Sequence, residues 1–221
     1  MAPLPLFPLA VVLFPGALLP LHIFEPRYQQ LLTDVVEGDH RFGILPPAGG
    51  GEGAEVGTIG TVARVRAVQP LEEGRSNVVV SGESRFLLEA TSPSAKPYLI
   101  GDIAALEDQS DTLILPQHQM AALIALAQRY ADALGRLNDS ERDTEFSPDL
   151  GRFTFQVAAL LDWDFTTKQH FLTLRSAAER ATRLLHALPR LLAVAEERAG
   201  VHTRATTNGK GLGHGGETSL S

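Results

Sequence analysis

From Pro3 to Phe24 the chain carries no charged residue, yet prolines at 3, 5, 8, 15 and 20 and a glycine at 16 interrupt it. Each proline fixes φ and removes a backbone donor, so no continuous helix can run through this stretch. An uninterrupted apolar run of that length would suggest a membrane span or an export signal. The proline spacing argues against a span, and the basic segment that opens a signal sequence is missing from Met1 to Leu13. The stretch is therefore read as short buried strands joined by the Pro15-Gly16 turn, leading into a helix at Pro26.

From Pro26 to Val36 the apolar residues Tyr28, Leu31, Leu32, Val35 and Val36 mark one helical face. Pro26 suits the first turn of that helix and Gly38 its end. Strand-like runs follow at Arg41–Leu45, Val56–Val68, Asn77–Ser81, Ser84–Ala90 and Tyr98–Leu106, rich in β-branched and aliphatic residues. Gly60 reads as a bend or bulge in the long second run. Leu71–Arg75 reads as a hairpin connection.

After Asp108 the period changes from two to 3.6. Leu115–Leu137 forms one helical stripe. Ser147-Pro148 reads as a cap and first-turn proline for a helix through Leu161. Thr166 with Gln169, and Ser176 with Glu179, have capping-box spacing. The last helix is expected to reach about Arg198 with a kink at Pro189. Beyond Gly200 the periodic apolar residues stop, which predicts a disordered tail. The fold class is α+β, with a β-rich part over 1–110, a helical part over 111–199 and the tail over 200–221.

The search for chemistry returns no constellation. Gly209-Lys210 lies in the tail with no strand before it, so it is not a phosphate loop. Gly82-Glu-Ser84-Arg-Phe86 lacks the second glycine of a nucleophile elbow. Seven histidines never fall at metal-ligand spacing, and no H-E-x-x-H occurs. His22, inside an apolar strand, reads as a hydrogen-bonded core residue. Asp162 and Asp164 flank Trp163 as turn and capping carboxylates. The chain has no cysteine, which removes disulfides and thiolate chemistry and suits a reducing cytoplasm. Its formal charge of −7 supplies no global attraction to nucleic acid or anionic membrane.

The series Leu6-Phe-Pro-Leu, Leu13-Phe-Pro-Gly and Leu19-Pro-Leu-His-Ile-Phe-Glu-Pro-Arg-Tyr28 closely resembles the LON substrate-binding domain family. Phe42-Gly-Ile44, Val56-Gly-Thr-Ile-Gly-Thr-Val62 and Gly82-Glu-Ser-Arg-Phe86 support the resemblance, which covers about Leu4 to Arg198. It implies a PUA-like β pseudo-barrel followed by a C-terminal helical bundle. It also implies a domain that handles substrate and performs no chemistry, the Lon-type ATPase and Ser–Lys peptidase lying in later domains expected to be absent here. Phe7, Pro8, Pro15, Gly16, Pro20, Phe24, Glu25, Arg27, Tyr28, Gly60, Arg85 and Phe86 match the family's pattern as structural positions. Glu25 and Arg27 are expected to form a partly buried ion pair beside Tyr28.

The expected function is non-catalytic binding of protein or peptide, linked to regulated proteolysis as substrate recognition or as an adaptor. The candidate surface is the apolar seam between barrel and helices, with Phe14 and Leu18 as exposed hydrophobes of the Pro-Gly loop. Expected partners are unfolded or extended polypeptide or a protein, with no membrane, no metal and no cofactor. The alternative is an RNA-binding module of PUA-like fold, which the negative charge and the lack of a basic aromatic stripe disfavour. A small-molecule pocket is the third reading.

Overall fold

The computed structural model describes residues 3–51, 53–110, 115–140 and 144–209. Six strands, β1 (Pro3–Pro8), β2 (Leu18–Ile23), β3 (Arg41–Leu45), β4 (Ile59–Pro70), β5 (Ser76–Ser92) and β6 (Leu99–Ala105), form a sheet of order β2-β5-β4-β3-β1-β6. β1 runs parallel to β3, and the other pairs are antiparallel. β5, at 17 residues, is long enough to pair with β2 from Ser76 to Ser81 and with β6 from Phe86 to Ser92. β4 occupies its other edge. The pairings β5–β4–β3–β1–β6–β5 thus return to their starting strand, and β2 is left with an open edge.

Two separate runs, Asn77–Ser81 and Ser84–Ala90, were expected where the structure has the single strand β5, and Gly82 explains the difference. A Cβ there would lie 2.3 Å from the Phe14 carbonyl oxygen, so glycine serves close approach and does not break the strand. Gly82 N donates to Ala17 O and Gly16 N donates to Gly82 O, each at 2.9 Å. Gly60 behaves similarly. A Cβ at that position would sit 2.5 Å from both Ile44 O and Phe86 Cζ, and the register shift falls beside it, between Thr61 and Ala63.

Helix α1 (Pro26–Glu37) buries Tyr28, Leu31, Leu32 and Val35 against Phe7, Phe42, Ile44, Val78 and Val80. The Phe7 and Tyr28 rings lie 4.0 Å apart. Each such side chain contributes roughly 1.5–3 kcal/mol of apolar burial. The helix ends where Gly38 N and His40 N both donate to Val35 O, with His40 in the left-handed region at φ 63°. A second cluster, Leu4, Leu6, Leu45, Val62, Phe86 and Leu88, fills the space between the strands.

The remaining helices are α2 (Gln117–Leu137), α3 (Leu150–Leu160), α4 (Phe165–Thr173) and α5 (Ala177–Gly209). Their caps differ in part from the sequence reading. Asp149, not Ser147, caps α3 by accepting from Arg152 N at 2.8 Å. Asp164 caps α4 by accepting from Thr167 N at 2.9 Å, while Gln169 donates to Ile59 O. At α3 a carboxylate two residues beyond the expected Ser147 takes the position, while at α4 Asp164, read as a turn or capping carboxylate, caps two residues before Thr166. Ser176 does cap α5, accepting from Glu179 N at 3.0 Å.

The last helix continues through Pro189 to Gly209 instead of ending near Arg198. The expected disordered tail is therefore helical from Gly200 to Gly209, and its part at 210–221 lies outside the described residues. Threonine and alanine between 203 and 207 carry no apolar stripe, yet they tolerate helix once a long one is already propagating.

Among the described residues, backbone proximity groups those up to 110 with 147–180 as one compact unit, and 115–140 and 144–146 with 181–209 as another. The first unit thus holds the sheet together with α1, α3 and α4. In the second, Leu123, Ala127 and Tyr130 of α2 and Leu184, Leu188 and Leu192 of α5 are buried. There Arg129 Nη2 and Glu196 Oε1 form an ion pair at 2.8 Å.

Candidate functional site

Phe14 is not an exposed hydrophobe. Its side chain is 1% exposed, stacked at 5.8 Å on Phe155 of α3 and edge-on at 6.0 Å to Phe171 of α4. Trp163 joins the same aromatic group through Phe171 at 5.3 Å. At this point the seam expected as a binding surface is filled by its own rings, with Phe14 inside it. The Pro15-Gly16 turn, with Gly16 at φ 82°, folds the loop inward, and nothing in the loop's sequence announces this.

Leu18 is placed as expected, at 68% exposure. It belongs to the alternation of β2, in which Leu18, Pro20 and His22 face outward while Leu19, Leu21 and Ile23 turn inward. Phe24, expected only as a structural position, is 58% exposed and stacks on the His22 ring at 6.0 Å. His22 itself is exposed, not a core residue, and is hydrogen-bonded to Asn77 Oδ1 at 2.9 Å. Val79 of β5, opposite Pro20, extends the exposed apolar strip.

The bond from Gly82 N to Ala17 O also sets the backbone alternation of β2. The N–H and C=O groups of Leu19, Leu21 and Ile23 turn toward β5, and those of Leu18, Pro20 and His22 lie at the open edge. Pro20 contributes no N–H there, a placement suited to an edge strand. Beside this edge runs a groove of about 380 Å³, lined by Phe7, Leu9, Val11, Leu21, Phe24 and Tyr28 among others.

Glu25 and Arg27 form the expected partly buried ion pair at the end of this groove. Arg27 donates from Nε and Nη2 to Glu25 Oε2 at 3.0 and 2.7 Å, and its guanidinium sits 4.6 Å from the Tyr28 ring centroid. Farther along α1, Asp34 accepts hydrogen bonds from Tyr98 Oη at 2.5 Å and from Lys96 Nζ and Gln30 Nε2 at 2.9 Å each. The Tyr98 bond, followed by those from Lys96 and Gln30, lowers the Asp34 pKa to about 2. Burial, together with the same carboxylate, holds the Tyr98 phenol well above its ordinary value.

One charged cluster escaped the sequence reading. Arg85 of β5 and Arg180 of α5 are buried on either side of Asp108. Arg85 also donates to Leu172 O and Leu174 O at 2.7 Å, and Arg180 to Leu174 O at 2.9 Å and to Thr154 Oγ1 at 2.9 Å. Arg180 stacks 4.0 Å from the Phe155 ring centroid. Burial pushes the Arg85 guanidinium pKa below its usual value, against the attraction of Asp108. With its backbone carbonyl partners, the cluster is a tie between strand, connection and helices. A readable signal existed: Arg180 interrupts the apolar stripe of Ala177, Ala181 and Leu184.

Among the described residues no group of three or more His, Asp or Glu could hold a metal ion. Among them, too, no helix is long and apolar enough to cross a membrane.

The first unit is thus a closing circuit of strands with α1 and α4 packed on it and an apolar strip at one open edge. The model of the ATP-dependent protease La (LON) substrate-binding domain matches residues 3–190, and the chain belongs to that family. The Lon protease of Amoebophilus asiaticus is 26% identical over 92% of the chain, and that of Anaeromyxobacter dehalogenans 36% identical over 49% of it. The crystal structure of a Lon N-terminal domain protein from Xanthomonas campestris is similar with a TM-score of 0.63 at 25% identity, covering 86% of this chain and all of that one. The chain spans 25% of the length of the Amoebophilus protease and 13% of the Anaeromyxobacter one.

Proposed function

We propose that this domain binds unfolded or extended polypeptide without acting chemically on it, as substrate recognition or as an adaptor in regulated proteolysis. The closed circuit of strands is read as the PUA-like pseudo-barrel. The exposed strip of Leu18, Phe24 and Val79 beside the open edge of β2 carries the reading. Apolar side chains of an extended segment gain burial on such a strip, and the open edge offers main-chain hydrogen bonds. The family supports recognition of substrate, and the absence of cysteine suits a cytoplasmic setting.

The test is a side-by-side titration with denatured protein and with structured RNA at low and high salt. Binding to denatured protein on the order of micromolar affinity that persists at high salt is expected. RNA binding that is tight at low salt, collapses at high salt and has no polypeptide counterpart would replace this reading with the RNA-binding one.

A further inference from the structure

A second groove is lined by different chemistry. It is a cavity of about 240 Å³ at the end of α1, walled by Val36 and Val68 and lined by His40, Arg64 and Arg66 with no carboxylate among its lining residues. Three nitrogen-bearing residues thus line one groove of a protein whose formal charge is −7.

The neighbouring acids Glu83 and Asp39 already have partners, and one of those partners is Arg64. Glu83 pairs with Arg41 Nε at 2.6 Å and, more loosely, with Arg64 Nη1 at 3.4 Å, so Arg66 is the groove's arginine with no carboxylate partner among the described residues. Asp39 Oδ1 accepts from Arg41 N at 3.1 Å. Arg66 is anchored through Nε to Ser81 Oγ at 2.7 Å, which fixes the guanidinium and leaves its two amino groups for a ligand. His40 is fixed by its backbone, with Val65 N donating to His40 O at 2.9 Å.

The strand edge here is open as well. β3 pairs with β4 only as far as Arg41 opposite Arg64, while β4 continues to Pro70. We propose that this groove is a carboxylate subsite for extended peptide, with Arg64 and Arg66 binding a peptide carboxylate and Val36 and Val68 covering the aliphatic residue beside it. The apolar walls favour a peptide carboxylate over inorganic phosphate, and guanidinium geometry matches a carboxylate with two parallel donors. The carboxylate can belong to an acidic side chain or to the chain end. Overall negative charge repels acidic polypeptide, so this local reversal of sign selects where such a segment can settle. The inference rests on the polypeptide-binding reading and narrows its substrate class.

The experiment uses the full chain and four decapeptides of one aliphatic sequence, with Glu or Gln at the centre and a free or amidated C-terminus. Calorimetric titration at low salt should show about tenfold tighter binding of carboxylate-bearing peptides than of the neutral one, as one charge-assisted bond gives. The Glu and C-terminal arms tell which source is read. Arg66→Gln should erase the preference with an unchanged melting temperature, and bound peptide should shift the NMR signals of His40 and Val68. Arg64→Gln is the second variant should Arg66→Gln fail to fold. Equal binding of all four peptides, or a preference that survives Arg66→Gln, overturns the subsite while leaving general polypeptide binding standing. Carboxylate peptides that bind here while denatured protein does not would overturn the general reading instead.

Discussion

Arg180 and Asp108 meet through two parallel hydrogen bonds, Nη1 to Oδ1 at 2.8 Å and Nη2 to Oδ2 at 2.6 Å, although 72 residues separate them. Arg85 takes a third bond to the same carboxylate, at 2.6 Å. Two buried guanidiniums share one acid, so one negative charge faces two positive ones.

Asp108→Asn removes that balance while keeping the shape. Fully buried pairs lose about 3–5 kcal/mol when one partner goes, and the Asp108 side chain is 32% exposed, so a loss of about 2–3 kcal/mol is expected. Urea melts followed by Trp163 fluorescence measure it, because that ring reports on the neighbouring Phe171. An unchanged midpoint would mean that the carbonyl acceptors alone hold both arginines.

The Asp34–Tyr98 contact predicts a pH dependence. The folded pKa of Asp34 is lowered from 3.8 to about 2, so the unfolded chain takes up its proton first as pH falls. The stability this group supplies is complete above the unfolded pKa and is lost as pH falls from about 4 to 2. Tyr98→Phe should move the Asp34 carboxyl titration, read by NMR, back toward ordinary carboxylate values and flatten stability over that window. A titration unmoved by the substitution would assign the shift to Lys96 and Gln30.

Thr61 is 1% exposed, and its hydroxyl makes no hydrogen bond among the described residues. It sits beside the register shift of β4, where the strand's irregularity leaves the side chain inside. Thr61→Val should therefore stabilise the protein by about 1 kcal/mol, the lower end of the cost of an unpaired buried hydroxyl. A drop in the urea midpoint would point to a buried water on that hydroxyl.

How much of this was legible depended on the range of the interactions. Helix α1 was readable because Tyr28, Leu31, Leu32 and Val35 share its buried face and proline and glycine bracket it, although Val36, counted on the same face, is exposed. The pair Glu25–Arg27 was readable for a similar reason, its partners being two residues apart. Cap assignment failed where two side chains within a few residues compete for the same N–H groups, as Ser147 and Asp149 do. Phe14 was misplaced because its burial depends on Phe155 and Phe171, more than 140 residues away, and a five-residue loop holds no record of them. The clusters around Asp108 and Asp34 were hidden for the same reason. Each joins segments whose meeting is fixed by strand order and not by local pattern.

Phe14 and Leu18, four residues apart, now predict opposite phenotypes. Phe14→Ala empties the space between Phe155 and Phe171 and should cost about 3–5 kcal/mol of stability. Its effect on polypeptide binding should follow the loss of folded protein and vanish once the folded fraction is accounted for. Leu18→Ser and Phe24→Ser remove exposed apolar surface, so each should leave the stability within about 0.5 kcal/mol of the parent. The pair combined should weaken binding to denatured protein severalfold, through a faster dissociation rate, because apolar contact area acts mainly after encounter. Stopped-flow dissociation of a fluorescent denatured probe, alongside urea melts of all four variants, separates the two classes. Unchanged dissociation in the Leu18→Ser, Phe24→Ser double variant would remove the β2 strip from the binding surface.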